Sequence, residues 1–457
     1  MVLEYLCEKI WDPWLLGIFL ITGLYFSIGT GFFQLFGIKL WLKTTIESLF
    51  VKKKGQKEGL TQFQTVSTAL AATIGTGSIA GVATAIFFGG PGSVFWMWVS
   101  AFLGMMISFA EKTLTIRYRY RAGEEWNGGP MEYMERGIGC KWLAVWFGAA
   151  LCVASLAGGA LVQSHSISSG LSTAFGWGRL QIGGMTALAA GMVILGGIKR
   201  IGQVCEMLVP VMAAIFLLGG GVVLCCHADA ILPAFREIFI CAFEPTAAVG
   251  GGGYGIMTAL HYGIARGIFT NEAGLGTSAL THAQAKVSHP AQQGMWGILE
   301  VFISTIVVCT MSALIILVSG IYDRNIALTA IENKEFEEWM TGVPMVSAAF
   351  STVMGTWGNI FVAVCLLLFA FSSLIGWSYY GERGLSFLLG GHRGRSFFRG
   401  VFLVAIVWGS VGELTEIWQL SDLFNAMMAI PNLTALVLLS PEVFKLWKNW
   451  IKKTSEG

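Results

Sequence analysis

Apolar residues in this chain come in long uninterrupted runs rather than in alternating or amphipathic patterns. Crossing a bilayer takes about 20 predominantly apolar residues. Runs near or above that length recur at 14–36, 62–88, 92–116, 143–172, 181–198, 203–226, 242–264, 294–320, 345–380, 398–415 and 421–446. The pattern predicts an all-α polytopic membrane protein of about eleven transmembrane helices. Glu4, Glu8 and Asp12 precede the first run where a cleavable signal would carry basic residues, so that run is expected to stay as a helix.

Basic residues fall in every second connection. Lys39, Lys43, Lys52, Lys53, Lys54 and Lys57 follow the first run, and Arg117, Arg119 and Arg121 the third. Lys199 and Arg200 follow the fifth, Arg266 and Lys286 the seventh, and Arg383, Arg393, Arg395 and Arg399 the ninth. Lys445, Lys448, Lys452 and Lys453 close the chain. The alternate connections are sparse or acidic, as with Asp323, Glu332, Glu335, Glu337 and Glu338 in 321–341. Basic loops stay in the cytoplasm, which predicts a cell-membrane protein with its N-terminus outside and its C-terminus cytoplasmic.

Composition agrees with a lipid environment. Hydrophobic residues make up 55% of the chain and charged ones 12%, against about 25% charged in an average soluble domain. A net charge of +2 gives no reason to expect nucleic acid as a partner. The nine cysteines show no disulfide or zinc spacing. Cys225-Cys226-His227 is tighter than zinc ligands are spaced and is read as a helix end. Gly75-x-Gly77-x-x-x-Gly81 follows no strand, so it is not a dinucleotide loop. Asn432-Leu433-Thr434 matches a glycosylation pattern, but inside the last run it is expected to be unmodified. No nucleophile, base and oxyanion donors gather near one membrane face, which argues against an enzyme, and no organic cofactor is expected.

Two of the runs are interrupted. Ala72-Thr73-Ile74-Gly75-Thr76-Gly77-Ser78-Ile79-Ala80-Gly81 lies within the second, and Val249-Gly250-Gly251-Gly252-Gly253-Tyr254-Gly255 within the seventh. Each glycine inside a helix costs about 1 kcal/mol relative to alanine, so four in succession predict a break. Gly75 and Gly77 also fit close packing of helices through small residues. Backbone freed inside a membrane must be satisfied by protein or by a water-lined cavity. Half-helix N-termini suit a carboxylate, and freed carbonyls suit Na⁺. With 14–36 set aside as an extra helix, the breaks fall in the first and sixth of ten helices. Units of five then enter from opposite sides, giving inverted repeats over 62–226 and 242–446, an arrangement that points to a secondary transporter.

Gly75-Thr76-Gly77-Ser78-Ile79-Ala80-Gly81-Val82-Ala83-Thr84-Ala85-Ile86 resembles the signature of the alanine/glycine:cation symporters, the sodium:alanine symporter family. The resemblance extends through Gly89-Gly90-Pro91-Gly92, Phe95-Trp96-Met97-Trp98, Ala110-Glu111 and Gly128-Gly129-Pro130-Met131. It returns at Gly263-Ile264-Ala265-Arg266-Gly267, Thr270-Asn271-Glu272-Ala273-Gly274-Leu275-Gly276 and Gly376-Trp377-Ser378-Tyr379-Tyr380-Gly381-Glu382. It implies a leucine-transporter-type five-plus-five inverted repeat with one extra N-terminal helix, and uptake of alanine, glycine or a similar small amino acid with Na⁺, or H⁺ in some relatives. Ser78 and His165 stand where the family usually has asparagine, and Gly251 where it tends to have phenylalanine. Thr258 and His261 replace a glutamine and an arginine. Ser78, His165 and Gly251 lie near the implied substrate site, which makes a larger or more polar substrate an alternative.

The resemblance and the residue chemistry together assign roles. N–H groups around Thr76, Gly77 and Ser78 are candidates for the substrate carboxylate, and carbonyls from Gly250 through Gly251, Gly252 and Gly253 for its ammonium. Gln163 is an uncharged amide in mid-span, costly unless partnered, and is a candidate substrate contact; so is Ser373. Trp377 is a candidate wall for the side chain, or an ordinary packing residue. Na⁺ is expected to take the Ala72 and Gly75 carbonyls with the Ser372 and Ser373 hydroxyls, unless those hydroxyls bond back to their own helix. Glu111 and Glu300 are expected to form an inner gate or ion pair with Lys112, Arg117 or Arg266. His165 is the candidate for an alternative proton coupling.

Overall fold

The computed structural model describes residues 10–11, 13–50, 60–123, 125–244, 255–333, 337–412 and 414–455. Helix α1 (Pro13–Gly29) stops earlier than the expected 14–36, because Gly31 and Phe32 turn the chain with φ of 63° and 52°. A separate helix, α2 (Ile38–Phe50), follows and buries Trp41. Thr61 and Gln64 form a reciprocal capping box that opens α3 (Gln62–Thr73). After an interruption, α4 (Ala80–Gly89) continues, and the Gly90-Pro91 turn leads into α5 (Gly92–Tyr118). A two-stranded antiparallel hairpin, β1 (Tyr120–Ala122) and β2 (Glu125–Asn127), pairs Arg121 with Trp126.

Helix α6 (Lys141–Phe175) widens into a π-helical stretch at Ser155–Val162. Next come α7 (Arg179–Ile194), α8 (Gly197–Cys226), the surface helix α9 (Ala228–Ala242) and α10 (Ile256–Asn271). Cys225 and Cys226 are exposed at the end of α8. Then follow α11 (Pro290–Val318), the short α12 (Arg324–Asn333) in the acidic connection, and α13 (Gly342–Met354). The chain finishes with α14 (Trp357–Leu389), α15 (Gly391–Val411), α16 (Leu414–Leu438) and α17 (Ser440–Ser455).

Two more expected runs divide. The run 345–380 is split at Gly355, where φ is 57°, into α13 and α14. The run 421–446 is split at Leu439 into α16 and α17. Apolar residues flank both turns (Met354 and Trp357; Leu438 and Leu439), so hydropathy carries on where the backbone does not.

Among the described residues, α5, α6, α8, α11, α14, α15 and α16 are long and apolar enough to cross a membrane unaided. With α1, α7, α10 and the α3–α4 pair they make up the eleven expected passes. Helix α5 packs along α10 and α11, and α6 along α14, around one continuous apolar core. Gly92 lies against the backbone of Cys241 and Ala242, which marks the Gly90 end of the bundle. The opposite end carries the hairpin and α17, where Arg117 pairs with Glu442 at 2.6 Å.

Candidate functional site

Between α3 and α4 the chain leaves the helix at Ile74 and makes one 3₁₀ turn over Thr76–Ser78. Gly75 is needed there for space: a β-carbon would run into the Ser373 hydroxyl and lie 3.2 Å from Gln163 Oε1. Gly77 faces α10 in the same way, since a β-carbon there would sit 2.8 Å from Phe269 Cδ1. The Thr76 N–H donates to Gln163 Oε1 at 3.4 Å, and the Ser78 N–H to the Gly75 carbonyl at 3.1 Å. Gln163 in turn donates from Nε2 to the Gly158 carbonyl at 3.2 Å, inside the π-helical stretch. The Ser78 hydroxyl is fully buried beside the Cys309 thiol, and the Thr76 hydroxyl is fully buried with no hydrogen-bond partner among the described residues. Buried hydroxyls are rarely left this way unless something else completes them. The first turn of α4 directs its N–H groups toward the same point. Beside it, Gly81 is buried, yet a β-carbon there would meet no atom of the described residues within 4 Å.

Neutral oxygens gather on the other side of this break. The Ser373 hydroxyl donates to the Ala71 and Ala72 carbonyls, both at 2.9 Å, and packs against Gly75. The Ser372 hydroxyl donates to the Ala71 carbonyl at 3.2 Å and back to Phe369 of its own helix at 2.8 Å. Gly376, one turn further on, lets α14 approach Ala72 closely. Of the expected cation ligands, Ala72, Gly75 and Ser373 therefore meet directly, while Ser372 reaches Ala71. Hard neutral oxygens suit Na⁺.

The expected second break at Gly250, Gly251, Gly252 and Gly253 lies outside the described residues. The residues that flank it, Glu244 and Ile256, are joined by a 3.2 Å backbone hydrogen bond. Gly89 touches Thr258 and Tyr262, which places the start of α10 at the Gly90 end. A helix interruption opposite Gly75–Ser78 is nevertheless present, at Glu272–Ser278. Helix α10 ends at Asn271, Glu272 adopts φ 53°, Gly274 and Gly276 have φ of 84° and 74°, and a short helix resumes at Ala279–His282. Glu111 holds this turn: its Oε1 accepts from the N–H groups of Gly274 (2.9 Å) and Gly276 (3.1 Å) and from Asn432 Nδ2 (2.7 Å). Arg119 fastens the far side by donating to the Ala283 and Ala285 carbonyls, both at 2.7 Å. Burial pushes its guanidinium down to about 10, which leaves it charged at neutral pH.

The charged candidates separate into two groups. Glu111 and Glu300 converge on Lys112, each at 3.4 Å, with all three side chains fully buried. Arg266 is elsewhere. The expected run 242–264 ends before it, but α10 continues to Asn271, so Arg266 lies inside the helix, on the Gly90 side of Phe269. It pairs with Asp422 of α16 at 3.2 Å, and its guanidinium lies 5.4 Å from the Trp418 ring. Arg266 thus stands on the opposite side of the breaks from Glu111 and Glu300. His165, on the same helix as Gln163, has its Nδ1 3.0 Å from the Gly412 carbonyl. Trp377 packs against Gly159 and edge-on to Tyr380, and its indole is a hydrogen-bond partner of Glu272. Phe269, Glu272, His282 and Asn432 do not stand out as site residues from the sequence. One signal for the second break is present there, since Gly274-Leu275-Gly276 repeats the spacing of Gly75-Thr76-Gly77.

Paired helix interruptions deep in a polytopic bundle define a secondary transporter of the leucine-transporter type. The solved structure of MhsT in complex with L-phenylalanine shares this fold, with a TM-score of 0.61 over 86% of this chain and 96% of that one, at 12% identity. The model of the sodium:alanine symporter family matches residues 1–457, and the chain belongs to that family. It is 39% identical to the sodium/alanine symporter AgcS of Methanococcus maripaludis, covering 94% of this chain and 92% of the relative. It is 33% identical to the probable sodium/glutamine symporter GlnT of Bacillus subtilis, covering 98% and 90%.

Proposed function

We propose that this protein is a Na⁺-coupled symporter of a small neutral amino acid of the alanine/glycine type, working by alternating access in the cell membrane. The observation that carries the reading is the first break. It presents the Thr76 and Ser78 hydroxyls, the Gln163 amide and the first turn of α4 on one side. On the other it presents the Ala72 and Ser373 oxygens. Thr76, Gly77, Ser78 and Gln163 would receive the substrate carboxylate, and Ala72, Gly75, Ser372 and Ser373 would hold Na⁺. Trp377 would bound the substrate on the side of the second break.

Helix lengths support an inverted repeat over 62–226 and 242–446. After each break come helices of 27 and 29 residues, then 35 and 33, then 16 and 21, then 30 and 25. Basic connections at the hairpin end support a cytoplasmic position for that end, with the Gly90 end outside. In proteoliposomes, an inward Na⁺ gradient should drive concentrative uptake of radiolabelled L-alanine or glycine. Uptake that is unchanged when choline replaces Na⁺ would sink the proposal.

A further inference from the structure

Five ionisable side chains meet at the second break, from four different parts of the chain. Glu111 and Lys112 come from α5, Glu272 from the end of α10, His282 from the short helix after the break, and Glu300 from α11. Glu272 is 2% exposed and the other four are completely buried. Lys112 Nζ donates to Ser108 Oγ at 2.7 Å and lies 3.4 Å from both Glu111 and Glu300. His282 faces Glu300 through Nε2 at 3.3 Å, while its Nδ1 meets the Gln293 amide. The other titratable groups facing the cluster are Tyr133, beside Glu111, and Tyr380 of α14, beside Glu272 and Glu300, with Cys205 of α8 beyond Tyr380. None of these three adds a positive charge.

Three carboxylates against one ammonium leave a formal charge of −2, or −1 with the His282 imidazole protonated. An uncompensated charge buried this way is strongly destabilising. The three carboxylates are not equally provided for. Glu111 accepts two backbone N–H groups and an amide, and Glu272 accepts from the Thr277 hydroxyl at 2.5 Å. Glu300 is paired with the Lys112 ammonium and the His282 imidazole and has the Ser278 hydroxyl beside it, whereas Glu272 has no ion pair among the described residues. Beyond them the buried Thr281 and Tyr380 hydroxyls lie next to each other. The cluster lacks a positive charge, and Glu272 is the carboxylate left without one.

We infer that this cluster is a proton site, in which Glu272 holds one proton that balances the buried charge. The proton turns one carboxylate into a hydroxyl donor and leaves Lys112 to serve Glu111 and the remaining charge. Because the second break joins α10 to the short helix that carries His282, opening of that turn toward the hairpin end exposes the proton to water. The site belongs to the protein without substrate or Na⁺, so it stands apart from the symport reading.

Thermal unfolding of the full-length protein in detergent tests this without transport. The native state holds a proton on a carboxyl that the unfolded chain releases, so stability is full at low pH and falls as pH rises through the native-state titration. In choline buffer the wild-type Tm should drop by about 5 °C between pH 6 and pH 9, beyond any drop seen in Glu272→Gln. Glu300→Gln, the second variant in case Glu272→Gln does not fold, should flatten the profile likewise. A wild-type profile as flat as that of the variants overturns the inference. So does a wild-type loss at high pH that Na⁺ restores, with Glu272→Gln abolishing the Na⁺ effect, since the site would then hold an alkali cation.

Discussion

The two helix interruptions face each other across the bundle and solve the same physical problem in opposite ways. Each frees backbone N–H and C=O groups where lipid cannot satisfy them. The break at Gly75–Ser78 is electrically neutral and only partly satisfied by the described residues, with the Thr76 hydroxyl left over and no described atom within 4 Å of a β-carbon at Gly81. The break at Glu272–Ser278 is tied down by side chains from distant helices, chiefly the Glu111 carboxylate and Asn432. Under the proposed reading, the second turn is framework and the first is receptor. A turn whose N–H groups are already bound to a buried carboxylate has little left for a ligand, whereas one that leaves hydroxyls and carbonyl oxygens pointing inward does.

The largest expected effect comes from removing the framework. Glu111→Ala deletes the acceptor for Gly274, Gly276 and Asn432 and leaves Lys112 with one carboxylate fewer. Breaking a buried, hydrogen-bonded ion pair costs about 3–5 kcal/mol. The variant should show a clear loss of Tm and of folded yield on size-exclusion chromatography. A Tm equal to wild type would mean that the second break is not held by this carboxylate.

Next is a substitution that crowds the receptor. Gly75→Ala places a methyl against Ser373 and Gln163, the two side chains that define the first break. Overpacking of a tight site costs about 1–3 kcal/mol, which is roughly 10–100-fold in binding. Na⁺-driven uptake should fall by that factor, with a loss of Tm smaller than that of Glu111→Ala. Equal losses of Tm and uptake would instead make Gly75 a framework residue, like Gly276.

How far the sequence reaches follows from the same contrast. Gly75-Thr76-Gly77 stands out because its surroundings are a continuous apolar run, and the structure does interrupt the helix there. The second interruption is hidden because its cause is not local: Glu111 is 163 residues away from Gly274 in the chain. Four consecutive glycines draw the expectation to 250–253, outside the described residues. Arg266 misleads in a related way, since a charge ordinarily ends an apolar run. Its partner Asp422 is 156 residues further along, and the pair allows α10 to continue past it. Turns such as Gly355 escape because apolar residues surround them. Hydropathy therefore outlines the long apolar helices, while a carboxylate distant in the chain holds the second break.

A smaller effect separates two neighbouring serines. Ser373 bonds across to the Ala71 and Ala72 carbonyls, whereas Ser372 divides its hydroxyl between Ala71 and its own Phe369. Ser373→Ala should raise the Na⁺ concentration for half-maximal uptake about tenfold, the equivalent of 1.4 kcal/mol. Ser372→Ala should change it by less than about threefold, because bonding within a helix competes with other contacts. Equal shifts would place both hydroxyls on the ion and require the α14 serines to turn together.

The smallest effect is expected at Gly81, and it tests the comparison most sharply because the substitution is the one made at Gly75. An alanine methyl at Gly81 meets no atom of the described residues within 4 Å, although the position is buried. Alanine also favours the helix by about 1 kcal/mol over glycine, so Tm should be unchanged or slightly higher. If the open space belongs to the substrate, the methyl shortens it on the side-chain end. Glycine uptake should then stay within about twofold of wild type, while a larger amino acid is transported less well, since one methylene in a pocket is worth about 1–3 kcal/mol. A uniform loss for all substrates would mean that Gly81 is needed by the moving backbone. No change for any substrate would place the pocket on the Trp377 side of the break.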